Sequence, residues 1–251
     1  MKVSVITACY NSARTIADTI RSVSSQSYRD IEHVVVDGGS RDGTLDIIAA
    51  RRASIAKLIP GPDNGIYDAL NKGLAESSGD IIGFLHSDDV YADDDVIQCV
   101  VREFSSHSLD AVYGDVAYIR GDKPERMVRV YDSGRFRPSR IAWGWMPAHP
   151  TLFLARTVFE KFGRFKTDYA IAGDFEFVAR TFSTPGFKYR YVPRVLDKMR
   201  MGGISTRGWR STVTLNKEVL RACRENGIDS NYLKILSKYP AKALEFLFSS
   251  R

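Results

Sequence analysis

The sequence predicts an α/β fold: a mixed, mainly parallel sheet flanked by helices, followed by a helical tail. Three observations predict it. β-Branched runs alternate with segments of helical spacing over roughly the first hundred residues, the rhythm of β-α-β units. Several of the strand candidates end in Gly- or Asp-rich turns, where open α/β sheets bind their ligands. After Asp110 the rhythm gives way to paired strands, an irregular loop and helices.

Val3 to Ala8 reads as a buried strand, and Asn11 as the cap of a helix carrying Ile16, Ile20 and Val23 at helical spacing. His33 to Asp37 is a second strand ending in Gly38-Gly39-Ser40, and Leu45, Ile47 and Ile48 belong to the next helix. Lys57 to Ile59 is a short strand, Tyr67 to Glu76 a helix, and Asp80 to Leu85 a strand. Asp93 is expected to cap a helix carrying Val96, Ile97, Val100 and Val101. Ala111 to Ile119 and Met127 to Tyr131 form a strand pair around Gly121-Asp122-Lys123-Pro124, and Arg135 to Pro147 reads as loop. Thr151 to Leu154 is a strand, Phe175 to Phe182 a helix, and Phe187 to Val192 a strand. Ser211 to Asn226 is a helix closed by Gly227.

With 251 residues, 44% hydrophobic and 26% charged, the chain is ordinary enough to exclude collagen, coiled coil and disorder. A net charge of +6 favours anionic partners, but Lys and Arg are dispersed without a stacking motif, so nucleic acid is not an expected partner. Cys9, Cys99 and Cys223 are far apart and form no C-x-x-C pair, which points to a reduced, cytoplasmic compartment. The apolar run at the N-terminus is too short for a signal segment, and no stretch approaches the roughly 20 apolar residues that cross a bilayer.

Four clusters carry chemistry. Phe84-Leu85-His86-Ser87-Asp88-Asp89 delivers two carboxylates to a strand end; Mg²⁺ and Mn²⁺ combine such carboxylates with substrate phosphates. The alternative is a solvated acidic turn. Asp37 ends a strand before two glycines that let a ligand approach the backbone, unless this is an ordinary turn. Asp63 lies in a loop ahead of Asn71 and Lys72, which can orient a nucleotide or its phosphates. Asp174 and Glu176 alternate with Phe175 and Phe177 at a helix start, where a carboxylate against apolar walls can take a proton from a hydroxyl; acids also suit a helix N-terminus for its own sake. His149-Pro150-Thr151 has a weaker claim.

Together and in this order, these motifs resemble the inverting glycosyltransferases of family two. The resemblance covers roughly residues 1–205. It rests on Val3-Ser4-Val5-Ile6-Thr7-Ala8-Cys9-Tyr10-Asn11, on Asp37-Gly38-Gly39-Ser40-Arg41-Asp42-Gly43-Thr44 and on Asp63-Asn64-Gly65-Ile66-Tyr67-Asp68-Ala69-Leu70-Asn71-Lys72-Gly73. It continues through Gly79-Asp80, Asp88-Asp89, His149-Pro150-Thr151-Leu152-Phe153 and Gly173-Asp174. It implies the GT-A fold, Rossmann-like, of the nucleotide-diphospho-sugar transferases, with a catalytic domain over residues 1–205 and a helical extension over 206–251. It also implies roles: Thr7, Ala8 and Tyr10 line the base pocket, Asp37 bonds the nucleoside and Asp63 lies beside the base. Asn71, Lys72 and Asp88 complete the donor site, and Asp89 holds Mn²⁺ or Mg²⁺ on the diphosphate. Asp174 is the general base, with Glu176 and His149 behind it. The expected partners are a nucleotide-diphospho-sugar, UDP-sugar favoured, and a saccharide or lipid-linked saccharide acceptor, in the assembly of cell-surface glycans.

The sequence departs from the family at Leu70, where many relatives carry Arg, and at His86, a variable position. The Q-x-x-R-W motif and membrane spans of processive synthases are missing, which favours single addition. A sugar-phosphate nucleotidyltransferase would carry a basic Gly-rich loop where Thr7-Ala8-Cys9-Tyr10-Asn11-Ser12 stands; a non-catalytic binding module is the remaining alternative. In the tail, Tyr232, Leu233, Ile235, Leu236 and Tyr239, then Leu244, Phe246, Leu247 and Phe248, interleave with Lys234, Lys238, Lys242 and Arg251, and Pro240 splits the run. Such a segment can lie on an anionic membrane at its inner face, or pack on the domain.

Overall fold

The computed structural model describes residues 1–121, 127–201, 208–237 and 239. The expected turn at Gly121-Asp122-Lys123-Pro124 and the tail from Pro240 onward, with Lys238, fall largely or wholly outside them. Strand β1 (Val3–Cys9) is buried along its whole length and is followed by α1 (Ile16–Ser24), β2 (Ile31–Asp37), α2 (Thr44–Ala49), β3 (Lys57–Pro60) and α3 (Ile66–Glu76). Next come β4 (Ile81–Phe84), the two-residue β5 (Val90–Tyr91), α4 (Val96–Ser106), β6 (Ala111–Ile119) and β7 (Met127–Tyr131). Beyond two 3₁₀ turns lie β8 (Phe153–Ala155), α5 (Arg156–Phe162), α6 (Gly173–Phe182), β9 (Tyr189–Arg200), α7 (Trp209–Glu225) and α8 (Tyr232–Leu236).

All nine strands share one mixed sheet in the order β3-β2-β1-β4-β8-β6-β9-β5, with β7 also on β6. The first four are parallel, each crossover supplied by a helix. β8 then joins β4 to β6 by antiparallel pairs, and β9 runs parallel to β6. The period of two along β1 explains the layering. Val3 and Val5 face one core with α4, while Ile6 and Ala8 face the other with α3 and α6. Helix α7 belongs to the second core: its Val219, Leu220, Ala222 and Cys223 sit among Phe136, Ile141 and Phe182. All three cysteines are free thiols.

Three local expectations are corrected. Asn11 does not cap α1; Thr15 does, and Asn11 takes a left-handed φ of 49° while its Oδ1 accepts the Arg41 N–H at 2.9 Å. Asp95, not Asp93, precedes α4; the Asp93 carboxylate instead pairs with Arg194 at 2.6 Å. The last strand runs on past Val192 to Arg200, because Pro193 sits at an irregularity in the β6–β9 ladder rather than ending it.

Candidate active site

The carboxyl ends of β1, β2 and β4 open toward the N-terminus of α6. At the end of β2, Asp37 is fully buried, and its Oδ2 accepts the Gly39 and Ser40 N–H groups, each at 3.0 Å. Its carboxylate thereby shapes the Gly-Gly turn. The neighbouring Cys9 thiol is pushed up by burial and by the Asp37 charge, so it stays a thiol. A Cβ on Gly38 would fall 2.3 Å from Asp63 Oδ2, so the missing side chain there lets the Asp63 carboxylate lie against this turn. Asp63 is half-buried and accepts the Gly65 N–H at 2.9 Å. Lys72 ties that loop down through Pro62 O at 2.9 Å and Asp68 at 3.0 Å. Asn71 clamps both backbone groups of Phe165, at 2.8 and 3.0 Å. Thr7 is buried on His33 at 3.0 Å, Ala8 is buried, and Tyr10 stands 64% exposed just beyond β1.

The acidic turn after β4 separates its two carboxylates. Asp88 is half-exposed and its carboxylate has no hydrogen-bond partner among the described residues. Asp89 is 1% exposed and faces inward. Its Oδ1 accepts the Arg200 backbone N–H at 3.1 Å, and its carbonyl accepts Thr19 Oγ1 at 2.8 Å. Burial, then the nearby Asp197 and Asp88 carboxylates, push the Asp89 carboxyl well above the usual range. Arg200 holds the turn from below, donating to the Asp88 carbonyl at 2.7 Å and to Asp18 at 2.8 Å. Ser87 Oγ meets Ser12 Oγ at 2.8 Å, joining the turn to the loop after β1.

Asp174 lies half-buried in the first turn of α6. Burial raises its carboxyl, against the Phe175 N–H, His86 and the Tyr67 hydroxyl, which lower it. That hydroxyl donates to Ile171 O at 2.5 Å and lies 3.3 Å from Asp174 Oδ1. Any Cβ at Gly173 would come within 2.8 Å of the Tyr67 ring, so glycine lets the helix start close over it. His86 lies between the two acidic elements, feeling the charges of both Asp88 and Asp174. Burial brings His86 and His149 down to about 4, so both are neutral imidazoles at pH 7. Their rings are 5.7 Å apart, and His149 also stacks on Phe84 at 5.7 Å. Glu176 is fully buried in a separate network with Arg180 at 2.9 Å and Lys166 at 3.1 Å. An open pocket lined by Asn64, Gly65, Tyr67, Thr167 and Tyr169 shares Tyr67 with the Asp174 side.

The structure thus sets Asp63 against the turn after Asp37, and His86 within the electrostatic reach of both Asp88 and Asp174. It turns Thr7, Asn71, Lys72 and Glu176 toward neighbouring protein groups. Asp89, expected to hold the metal, is 1% exposed in this structure, and Asp88 is the more accessible member of the pair. Among the described residues no three His, Cys, Asp or Glu side chains converge as a self-sufficient cation site. One free carboxylate at a strand end does fit a hard cation that takes its other oxygens from a diphosphate. Tyr67, Asp197, Arg200 and Glu218 were not singled out by sequence reasoning. Tyr67 stood inside a quoted motif, and the alternation Leu196-Asp197-Lys198-Met199-Arg200 is a strand signal that was available.

The profile of glycosyl transferase family 2 matches residues 4–163. The chain belongs to glycosyl transferase family 2. Among family 2 relatives, an uncharacterized glycosyltransferase of Mycobacterium tuberculosis is 34% identical over 183 residues, 71% of this chain and 68% of its own length. A PGL/p-HBAD biosynthesis glycosyltransferase of Mycobacterium bovis is 30% identical over 207 residues, 80% of this chain and 78% of its own. The fold is GT-A. Staphylococcus aureus TarS in complex with UDP-GlcNAc superimposes with a TM-score of 0.69 at 18% identity, over 88% of this chain and 66% of that one. The mannosyltransferase PcManGT of Pyrobaculum calidifontis, in complex with GDP-Man and Mn²⁺, gives 0.64 at 21% identity, over 88% and 64%. No helix among the described residues is long and apolar enough to cross a membrane.

Proposed function

We propose that this family 2 glycosyltransferase moves a sugar from a nucleotide diphosphate, UDP-sugar favoured, to an acceptor hydroxyl with inversion, and that Asp174 is the base. The observation that carries the reading is Asp174 itself: a carboxyl in the first turn of α6, raised by burial and 3.3 Å from the Tyr67 hydroxyl, with a His86 that feels the charges of both it and Asp88. The acceptor oxygen attacks the anomeric carbon as the bond to the diphosphate breaks, and the hydroxyl proton passes to Asp174. A raised carboxyl is the stronger base, yet it must be ionised to act. Asp37 and Asp63 hold the nucleoside side, the first through the turn it shapes. Asp88 would hold Mn²⁺ or Mg²⁺, which neutralises the departing diphosphate. The Mn²⁺ and nucleotide-sugar ligands of the structural neighbours support this donor class, and the mycobacterial relative's role in PGL/p-HBAD biosynthesis supports a saccharide or lipid-linked acceptor.

Released nucleoside diphosphate, measured over a donor and acceptor panel, tests the reading. Asp174→Asn is expected to keep donor binding and lower kcat by about 10²-fold or more. EDTA is expected to silence the wild type and Mn²⁺ to restore it. Full activity of the variant removes Asp174 as base; full activity in EDTA removes the metal.

Peripheral attachment to an anionic membrane is part of the same proposal. Trp209 at 72%, Leu233 at 83% and Trp143 at 44% exposure support it, as does the run of Lys and apolar residues in the sequence of the tail. The chain is expected to sediment with anionic vesicles at low salt and to be released at high salt; indifference to vesicles at low salt refutes it.

A further inference from the structure

The geometry points to Glu218, on α7, as a positioning residue for the base: its carboxylate holds the backbone of residues 170–172 and so fixes where α6 begins and where it places Asp174. This rests on the reading of Asp174 as base. Glu218 Oε1 accepts the Ala170 N–H at 2.7 Å, and Oε2 accepts those of Ile171 and Ala172 at 2.9 and 2.8 Å. Three consecutive N–H groups on one carboxylate fix the direction of the peptide planes they belong to. Hydrogen bonds to a charged acceptor are the strong kind. The residues held are those that lead directly into Gly173 and Asp174. The Ile171 peptide is pinned from the other side as well, its carbonyl accepting the Tyr67 hydroxyl at 2.5 Å. Glu218 also stands at the start of α6, where a negative charge complements the helix dipole.

Glu218 is one of three residues that α7 presents at helical spacing to the same segment. Arg221 bonds Asp168, its carbonyl at 3.2 Å, and lies over the Tyr169 ring at 4.3 Å. Glu225 takes Lys166 at 2.8 Å and the Tyr169 hydroxyl at 3.0 Å. On the opposite side Asn71 clamps Phe165. Phe165, Tyr169 and Ala172 anchor this loop in the core, while Thr167, Asp168 and Ala170 between them are exposed. The three Glu218 bonds go to backbone N–H groups and so orient the chain entering α6. The donor-facing residues sit on β1, β2 and β4 and the loops that follow these strands and β3, and Glu218 touches none of them. Loss of Glu218 is therefore felt in the transfer step and not in donor binding.

The test uses the full chain with Glu218→Gln and Glu218→Ala, and Asp174→Asn in parallel. Gln keeps the size but places an NH₂ group against N–H donors, so it retains part of the cradle. Transfer is followed by released nucleoside diphosphate, donor affinity by titration with UDP, and the acid limb of kcat by a pH series. Glu218→Ala is expected to lower kcat by about 10-fold or more, the scale of a misplacement near 1 Å. Glu218→Gln should lie between it and wild type. Donor KM and UDP affinity should stay within about twofold, since uniform binding is untouched. The acid limb should move, because the loop sets the surroundings of Asp174. Both Glu218 variants turning over like wild type while Asp174→Asn is inactive overturns the positioning role and leaves the base in place. An active Asp174→Asn overturns the base itself. Loss of folded protein in both Glu218 variants, or kcat and donor KM damaged together, assigns Glu218 to stability alone and also overturns the proposal.

Discussion

At the amino ends of the parallel strands, Glu32 is 5% exposed and its carboxylate receives Ser4 Oγ at 2.6 Å, the Ser78 N–H at 2.7 Å, Ser78 Oγ at 3.0 Å and Lys2 Nζ at 3.2 Å. At the other end, Asp197 on β9 is fully buried and neither of its oxygens has a hydrogen-bond partner among the described residues. Burial alone would raise both. At Glu32 the donors outweigh it and bring the carboxyl down to about 2. At Asp197 burial, with the Asp88 charge added, leaves it well above the usual range. The same sheet thus spends one buried carboxylate on fastening β1 to β2 and the start of β4, and tolerates another that costs stability beneath the acidic turn. Buried polar groups without partners concentrate where proteins do chemistry.

Glu32→Gln should break the fastened end. The amide cannot accept from four donors, and it removes the charge that makes them strong. A carboxyl lowered from 4.5 to about 2 corresponds to roughly 3 kcal/mol of stability at neutral pH. That contribution is present above the unfolded value near 4.5 and is lost as pH falls toward 2. Denaturant unfolding should therefore show a large deficit at pH 7 that narrows below pH 4.5. Turnover per folded molecule should be unchanged. A variant as stable as wild type at pH 7 would show that the four donors reach water instead.

How legible these two ends were differs for a physical reason. The strands and helices of the first hundred or so residues follow from periodicity, because alternating and helical patterns face one core each. The places of Asp37, Asp63, Asp88 and Asp174 were legible, since each stands at a strand end, in a strand-end loop or at a helix start. Which of Asp88 and Asp89 the fold buries was not. Two adjacent carboxylates point to opposite sides of a turn, and only the position of Arg200 and Asp197, distant in sequence, decides which is buried. The Pro193 irregularity hid that strand. The backbone partners of Asn71 and Lys72, at Phe165 and Pro62, were not legible, because polar residues on a short helix carry no mark of what they bond. Glu218 was hidden in the same way: its partners are backbone N–H groups, which every sequence has.

Asp197→Asn should sharpen the comparison at its other side, with the smaller effect. An acid whose folded value lies above its unfolded value binds its proton more tightly in the native state. Its stabilising contribution is then complete at low pH and declines as pH rises from about 3.8 toward the raised value. At neutral pH the native state bears the cost of a buried group that is either charged or holding a proton against solvent. Asparagine has nearly the same shape and cannot ionise, so it removes that cost while keeping the volume beneath Tyr91, whose hydroxyl is also unpartnered. The amide brings its own unpaired donors, which limits the gain to about 1 kcal/mol. The variant should unfold at higher denaturant than wild type at pH 7, and the difference should vanish near pH 4, the opposite sign and the opposite pH trend to Glu32→Gln. Activity should fall, because the Asp197 charge acts on Asp89 and so on the turn that presents Asp88. A loss of stability at pH 7 would mean that the carboxylate has partners in solution, and that the two ends of the sheet hold their buried acids by the same means.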